Sequence, residues 1–431
     1  MKRYALTFSL LAMPLSSLAF DDVSIEPSIN STFSQYDQSN AFESSKQFLD
    51  VEFMFDINLN LSETVHLQMT PRFRADNRDR VDSNLYFSET HEQRDAVGFN
   101  ELILNYYGEK FEINLGKQLI SWGSSDIYNP SDDINPIDSL DPLNSAKIGQ
   151  NALSIRYLGE LLNFHTVAIY EGFPGRLPNE QNRWFISTQA LQDAAQLLLG
   201  FAPAIVLGET IPNDDLLYGL QIESSQLIAG WDLEFSYFHG ADPIGVYLSE
   251  LTGTDLNLIR IYPAFDEYAL GFSTTVGEYE IHGALSHHNT RNDLQDDDYT
   301  TTVIGGRRTF YELPLLSMVE ELTVGMEYAN ESLSNQRSDA SSYVDSGFGR
   351  SLTDSILVNI DFKFSEDSSL YVNYVENFEK NDNYRSIGFR HKINDDFEIE
   401  VRFDGLAGET NSFFGGWSNN DRLIAQSSYR F

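Results

Sequence analysis

A strict two-residue alternation between apolar and polar side chains recurs along this sequence. Between residues 50 and 61 the odd positions are all apolar: Val51, Phe53, Phe55, Ile57, Leu59 and Leu61. The even positions are mostly acids and amides: Asp50, Glu52, Met54, Asp56, Asn58 and Asn60. Residues 65–74, 231–237, 356–364 and 397–404 repeat the pattern. This alternation predicts extended strands, because a helix would spread the acids around its whole circumference.

The connections between these segments alternate in length. Short ones lie at 62–64, 108–109, 159–160, 277–278, 366–367 and 394–395. Long polar ones lie near 75–95, 122–150, 172–214, 240–264, 289–298, 331–351 and 406–420. Short turns at one end and long loops at the other are typical of outer-membrane barrels. We therefore predict an all-β fold, a membrane-spanning antiparallel up-and-down β-barrel of about 18 strands with inward-folded extracellular loops.

The N-terminus has the features of a cleaved signal peptide. Lys2 and Arg3 form a basic segment, residues 5–15 an apolar segment, and residues 17–19 a small-x-small cleavage site. We predict that residues 1–19 are the signal peptide and that residues 20–431 form the barrel. The chain contains no cysteine, so it can cross an oxidising periplasm without forming disulfides. The predicted location is the outer membrane of a Gram-negative bacterium.

The end of the chain resembles an assembly signal. Leu423, Ala425, Ser427, Tyr429 and Phe431 alternate with polar residues and are expected on the lipid face. A terminal aromatic residue preceded by alternation is similar to the signal read by the barrel-assembly machinery. Tyr429 and Phe431 are therefore predicted to be recognised by that machinery, and outer-membrane lipids and lipopolysaccharide are predicted to surround the barrel.

The strongly acidic composition excludes one class of partner. A formal net charge of -37 does not allow nucleic acid to be bound through neutralisation of its phosphates. Two interpretations of the acidity stay open. The acids keep long loops soluble, or they bind divalent cations, bridge to lipopolysaccharide or bias a pore towards cations.

A barrel of this width normally leaves a water-filled channel. On the predicted alternation, charges of both signs face the lumen; the candidates are Glu52, Arg72, Arg74, Glu101, Glu112, Arg156, Arg390, Glu400 and Arg402. Opposite charges facing each other across the lumen would orient polar solutes. Alternatively, neighbouring charges pair along the wall.

Residues 122–150 form the most distinctive stretch. They contain two Asn-Pro pairs and repeated aspartates, which fix turns through side-chain hydrogen bonds and the locked φ of proline. Because the stretch also carries several apolar residues, we predict that it packs into the lumen as a constriction loop. The candidate pore residues are Trp122, Asp126, Asn129, Asp132, Asp133, Asn135 and Asp138.

A second loop, residues 172–214, is unusually apolar for an external connection. Residues 188–199 have the pattern of a short amphipathic helix, and residues 201–207 form an apolar run. The loop is expected to act as a plug or lid of the barrel, or alternatively to contact an apolar substrate or partner.

Three sequence runs carry a resemblance to a known group. They are GKQLISWGSSDIYNPSDDINPIDSLDP (116–142), IGQNALSIRYLGE (148–160) and YEGFPGRLP (170–178). They resemble a poorly characterised group of proteobacterial outer-membrane porin-like barrels, which is architecturally similar to alginate-export-type porins. The resemblance implies a porin-like transport channel, with the outer-membrane part of an export or lipid-trafficking system as one option. An inner-membrane exporter and a periplasmic carrier would then be partners.

An outer-membrane enzyme and an adhesive or structural barrel are the alternative classes. The eight histidines are scattered, and none belongs to a recognisable nucleophile motif. His287 and His288 are adjacent on a predicted strand and point to opposite faces, which disfavours a shared metal ion. The loop aspartates could offer oxygen ligands to calcium but lack EF-hand spacing. We therefore predict no enzymatic activity, no metal and no cofactor.

Overall fold

A computed structural model describes residues 23–40, 42–78, 80–85, 93–185, 196, 199–210, 216–292, 295–311, 317–336, 343–345, 350–410 and 412–431. The predicted signal peptide, residues 1–19, lies outside the described residues. So does most of the predicted helix 188–199. Within the described ranges, no helix combines the length and the apolar content needed to cross a membrane.

Eighteen antiparallel strands form one closed barrel. In chain order they are β1 Val23–Tyr36, β2 Gln47–Asn60, β3 Val65–Asp76, β4 Arg94–Tyr107, β5 Phe111–Gln118, β6 Gln150–Leu158, β7 Asn163–Glu171, β8 Leu217–Ile228, β9 Trp231–Ala241, β10 Ala264–Val276, β11 Tyr279–Thr290, β12 Asp298–Tyr311, β13 Glu321–Asn335, β14 Asp354–Ser365, β15 Ser368–Asn377, β16 Asp382–Asn394, β17 Phe397–Gly408 and β18 Arg422–Arg430. Each strand pairs with its neighbours in sequence, and β1 also pairs with β18, which closes the barrel. The predicted fold class and strand number are confirmed.

The two faces of each strand differ as the alternation predicts. On β13, the side chain of Met326 is 57% exposed on the outside, whereas its neighbour Glu327 is buried on the inside. Leu270 of β10 and Ile304 of β12 are likewise exposed on the outside. A lipid bilayer solvates such an apolar outer band, while polar side chains are left to the interior. The alternation thus places the polar set of each strand in the lumen.

Short connections lie at one end of the barrel and long ones at the other. Gly230 and Gly277 occupy two of the tight turns with φ values of 81° and 66°, a region that residues with a Cβ rarely adopt. At the opposite end, residues 119–149 join β5 to β6. This connection is the longest one whose residues are all described. We call it the constriction loop.

Parts of three long loops pair with each other in a small separate sheet. The loop strand Ala204–Glu209 runs parallel to Asp255–Ile261, which pairs antiparallel with Val246–Thr252. Tyr343–Asp345 adds a fourth strand. The apolar run predicted at residues 201–207 therefore supplies most of an edge strand of this sheet. Its role as a plug or as an apolar contact surface stays a prediction.

Candidate pore constriction

The constriction loop is shaped first by its own asparagines. Asn135 accepts a hydrogen bond from the Ile120 N–H at 3.2 Å and donates one to the Ile120 carbonyl. Asn129 donates to the Trp122 carbonyl and accepts from the N–H and the hydroxyl of Ser131. Both asparagines precede a proline, so the two Asn-Pro pairs fold the loop back onto its own beginning.

The beginning of the loop packs against the wall around β6, β7 and β9. Trp122 is 2% exposed, and its indole N–H donates to His165 Nδ1 at 2.9 Å. His165 Nε2 lies 2.7 Å from the Ser154 hydroxyl oxygen, so a polar chain runs from the loop into the wall. The apolar cluster around this contact comprises Ile120, Trp122, Ile134, Ala152, Val167, Ile169, Phe238 and Phe265.

The tip of the loop reaches the opposite wall. Glu327 of β13 is 1% exposed, and its carboxylate accepts hydrogen bonds from the backbone N–H groups of Asp126, Ile127 and Tyr128 at 2.9, 2.8 and 2.8 Å. His282 Nε2 of β11 lies 2.7 Å from the same carboxylate. Because β13 is the eighth strand after β5 in a barrel of eighteen, the loop crosses the lumen.

Side chains at the tip add to this contact. The Asp126 carboxylate lies 3.4 Å from Arg307 Nη1 and 3.7 Å from His282 Nδ1. Tyr128 packs against a buried apolar cluster of the wall formed by Val303, Ala329 and Leu357. The tip is therefore held by backbone, ionic and apolar contacts together.

A buried ion pair fixes the middle of the loop. Asp138 accepts hydrogen bonds from Arg94 at 2.7 and 3.0 Å and from Arg176 at 3.2 Å. Burial alone would raise the pKa of Asp138, but the two guanidinium groups hold it well below its ordinary range. Since Arg176 belongs to the loop that follows β7, this pair joins the two long loops.

The end of the loop is tied to the strand that closes the barrel. Arg422 of β18 is 1% exposed and bridges Asp141 of the loop and Asp404 of β17, with its Nε 2.9 Å from Asp404. Its Nη1 also donates to the Tyr36 hydroxyl at 3.1 Å. Nearby, Arg183 from the loop after β7 lies 3.4 Å above the centre of the Tyr36 ring. Both long loops therefore meet the wall around β1 and β18.

The predicted lumen charges are in contact with their neighbours along the wall. The contacts are Glu52–Arg74 at 2.6 Å, Glu112–Arg156 at 3.8 Å, Arg390–Glu400 at 2.8 Å, Arg402–Glu400 at 3.4 Å, Arg72–Asn100 at 3.0 Å and Glu101–Leu119 N–H at 3.1 Å. Local pairing therefore accounts for most of these side chains. A transverse field across the lumen stays a prediction.

The remaining predicted residues divide between the loop and the outer face. Asp132 pairs with Lys147 of the same loop, and Asp133 lines a small cavity together with Asp242 and His288. Tyr429 and Phe431 lie on the outside, 36% and 65% exposed, with ring centres 4.8 Å apart. Their recognition by assembly machinery stays a prediction.

The loop aspartates are directed to different partners and do not converge on one point. Asp126 faces Arg307, Asp138 faces Arg94, and Asp141 faces Arg422. In the part of the chain that the structure describes, no group of three or more histidine, cysteine, aspartate or glutamate side chains has the geometry to hold a metal ion.

The sequence did not reveal the residues that hold the loop from outside it. The contact between Glu327 and Asp126 joins positions 201 residues apart. In the sequence, nothing distinguishes Glu327 from the other polar residues that face the lumen. The same holds for Arg422. The alternation predicts that such side chains face the lumen, but it does not predict which of them contact the constriction loop.

Comparisons with known proteins give the fold but no sequence family. No family model matches the chain, and no curated protein matches it. Among solved structures, OccK11 (OpdR) of Pseudomonas aeruginosa is 11% identical with a TM-score of 0.53, over 95% of this chain and 96% of that one. A loop-deletion mutant of OmpT, an outer membrane protein of Vibrio cholerae, is 10% identical with a TM-score of 0.45, over 95% and 99%.

A mutant of the Rh. blastica porin is also similar, with 10% identity and a TM-score of 0.43 over 95% of this chain and all of that one. At these identities the likeness concerns the fold alone, and the argument rests on the Pseudomonas barrel. The closed eighteen-stranded wall with an apolar outer face agrees with that likeness. The chain therefore has the fold of a porin-like outer-membrane β-barrel.

Proposed function

We propose that this chain is an outer-membrane channel whose lumen is restricted by the constriction loop, with the loop after β7 supporting it. The observation that carries the proposal is the Glu327 carboxylate, which receives three consecutive backbone N–H groups from the tip of a loop that starts on the far wall. A loop held in this way narrows the path between the two ends of the barrel, and its position sets the conductance.

The surroundings of the tip favour hydrophilic solutes. A lumenal cavity of about 550 Å³ lies beside the tip and is lined in part by Asp126, Arg307, Asn359, Asp361 and Asn373. Pockets of this size accommodate small organic molecules. Carboxylate, guanidinium and amide groups favour polar solutes over lipid chains, so passive diffusion is the function that we favour. Export or lipid trafficking, with an inner-membrane exporter and a periplasmic carrier, stays a prediction of the sequence.

Removing the tip of the loop should increase the current through the barrel. We expect purified protein in planar bilayers to conduct, and a variant in which residues 125–133 are replaced by a short Gly-Ser linker to conduct several-fold more. The deletion stops before Asp138 and Asp141, because these two carboxylates neutralise the buried Arg176 of the loop after β7 and the buried Arg422 of the wall. Single-channel recording measures the difference.

The matched control shortens the hairpin around Gly253, which belongs to the small loop sheet. This variant should keep the conductance of the unmodified protein. Currents near zero in both the unmodified protein and the loop variant would contradict the channel and favour the alternatives, an outer-membrane enzyme or an adhesive barrel. Liposome swelling with sugars and amino acids of increasing size then identifies the solutes that pass.

A further inference from the structure

A row of cross-strand partners lies between the tip of the constriction loop and the short turns. It consists of Arg307 of β12, Gly325 of β13, Asn359 of β14 and Asn373 of β15. Gly325 has no side chain, and a Cβ built there would lie 3.7 Å from the Arg307 Cβ and 3.9 Å from the Asn359 carbonyl oxygen. The gap at Gly325 is therefore part of the lumenal cavity of about 550 Å³ beside the tip.

One side of this cavity is apolar. Leu357, Val375 and Tyr384 contribute to its lining. Leu357 is 4% exposed and belongs to a buried cluster of the wall against which Val375 also packs. This side offers a solute a surface for an apolar chain.

Two asparagines form part of the polar side. Asn359 Nδ2 donates a hydrogen bond to Asn373 Oδ1 at 2.7 Å. An amide side chain has both an acceptor and two donor hydrogens, so this bond leaves a carbonyl oxygen on Asn359 and an NH2 group on Asn373 available to a solute.

The cationic groups of the cavity are already matched by carboxylates. The Arg307 guanidinium contacts two of them, with its Nε 2.5 Å from Glu280 and its Nη1 3.4 Å from Asp126. A ring nitrogen of His282 lies 2.7 Å from the Glu327 carboxylate. Any further carboxylate therefore gives the cavity an excess of negative charge.

Asp361 supplies that further carboxylate. It is half-buried in the lining of the cavity, and it has no ion-pair or hydrogen-bond partner among the described residues. Lys363 follows two residues later on the same face of β14, but it forms its ion pair with Glu321 at 2.9 Å. An unmatched carboxylate beside a polar cavity with low-dielectric walls raises the local concentration of cations.

We propose that this cavity binds small organic cations with an ammonium group and a short apolar chain, and that Asp361 makes the channel select cations over anions. The ammonium group donates to Asp361 and to the side-chain carbonyl oxygen of Asn359, while the chain lies against Leu357 and Val375. Charges beside the narrowest part of a pore determine which ions pass. The inference rests on the proposed function of the protein as a channel and names the class of solute.

The first test is the reversal potential of single channels in a gradient of KCl at low ionic strength, where lumenal charges are screened least. The unmodified protein should be more permeable to potassium than to chloride, and Asp361→Asn should lower this permeability ratio several-fold. Glu398→Gln is the matched control, because it removes a carboxylate of β17, a strand that does not contribute to the cavity. It should keep the ratio.

The second test uses cadaverine and glutarate, which have chains of equal length and opposite charge. Cadaverine should reduce the potassium current by occupying the cavity, at a much lower concentration than glutarate does. Asp361→Asn should raise the concentration of cadaverine needed for half-block several-fold. Gly325→Leu fills the cavity but removes no charge, so it should abolish the block and keep the permeability ratio. Heat-modifiable migration in gels checks that the variants are folded.

The outcomes separate the site from the channel. Anion-selective currents, or a block by cadaverine that is equal in the unmodified protein and in Asp361→Asn, would overturn the cation site and leave the channel intact. A block that persists in Gly325→Leu would also overturn it, because the cation would then bind outside the cavity. Absence of current in every variant, including the loop deletion, would instead contradict the channel.

Thermal unfolding in detergent gives a readout that needs no current. A ligand that binds the folded protein stabilises it, so cadaverine should raise the unfolding temperature of the unmodified protein. The same concentration should have a smaller effect on Asp361→Asn and on Gly325→Leu, and glutarate should have none on any of them. Equal shifts in all three proteins would overturn the site.

Discussion

Replacing Glu327 by alanine is expected to raise the single-channel conductance several-fold while the barrel stays folded. The substitution removes the acceptor of three backbone hydrogen bonds at the tip of the constriction loop. Hydrogen bonds to a charged group contribute about 1.5–3 kcal/mol each, so a total loss of about 3 kcal/mol is a conservative figure. Such a loss changes the ratio of docked to released loop by about a hundredfold.

Two variants of the same strand serve as controls. Glu327→Gln keeps a carbonyl oxygen with two lone pairs in the same place, so its conductance should lie between those of the unmodified protein and Glu327→Ala. Glu321→Ala removes the same charge from a residue whose partner is the exposed Lys363, 2.9 Å away, and should change nothing. Heat-modifiable migration in gels checks that all three barrels are folded. Equal conductance in all of them would show that the tip contact does not restrict the pore.

Replacing Arg422 by methionine is expected to cost the largest amount of stability of any single substitution considered. The buried guanidinium is the partner of two buried carboxylates, Asp141 and Asp404, and also lies 5.3 Å from the ring of Trp184. Removal of one member of a buried ionic network costs roughly 3–5 kcal/mol, because the charges left behind stay out of water without a partner.

Unfolding by denaturant in lipid vesicles measures this effect. Lys363→Met is the matched control, because its ion pair with Glu321 is exposed and contributes about 0–1 kcal/mol. The double variant Arg422→Met with Asp141→Asn should recover part of the loss, since one of the two unpaired charges is gone. If Arg422→Met and Lys363→Met unfold at the same denaturant concentration, the network around Arg422 does not stabilise the barrel as we describe.

The wall could be predicted from the sequence because each strand carries its own signal. A strand with lipid on one side and a polar lumen on the other must alternate at every residue, as residues 50–61 do, and no distant contact is needed to see it. The short turns then set the antiparallel order. The count of alternating segments gives about eighteen strands in the same way, and closure of an up-and-down barrel then requires β1 to pair with β18.

The constriction could be predicted only in part. The Asn-Pro pairs act within their own loop, as the contacts of Asn129 and Asn135 show, so their effect is visible in the sequence. The partners of Asp126 and Asp138 were not predictable, because Arg307 and Arg94 carry no local feature that distinguishes them from other lumenal charges. Which wall residue meets which loop residue depends on the three-dimensional path of the loop.

The chain offers a direct way to fix the loop to the wall. A Cβ atom at Gly271 of β10 would lie 2.5 Å from the Ser124 hydroxyl oxygen of the loop, a separation that a small adjustment converts to disulfide geometry. The protein contains no cysteine, so Ser124→Cys with Gly271→Cys introduces the one possible intramolecular disulfide. Mass spectrometry verifies that it forms.

The measurement that tests the central claim is the conductance of this cysteine pair in the Glu327→Ala background, before and after reduction in the same bilayer. If the loop restricts the pore by lying across the lumen, the oxidised protein conducts weakly, a reductant raises the current several-fold, and reoxidation lowers it again. A verified disulfide whose reduction leaves the current unchanged would contradict the account.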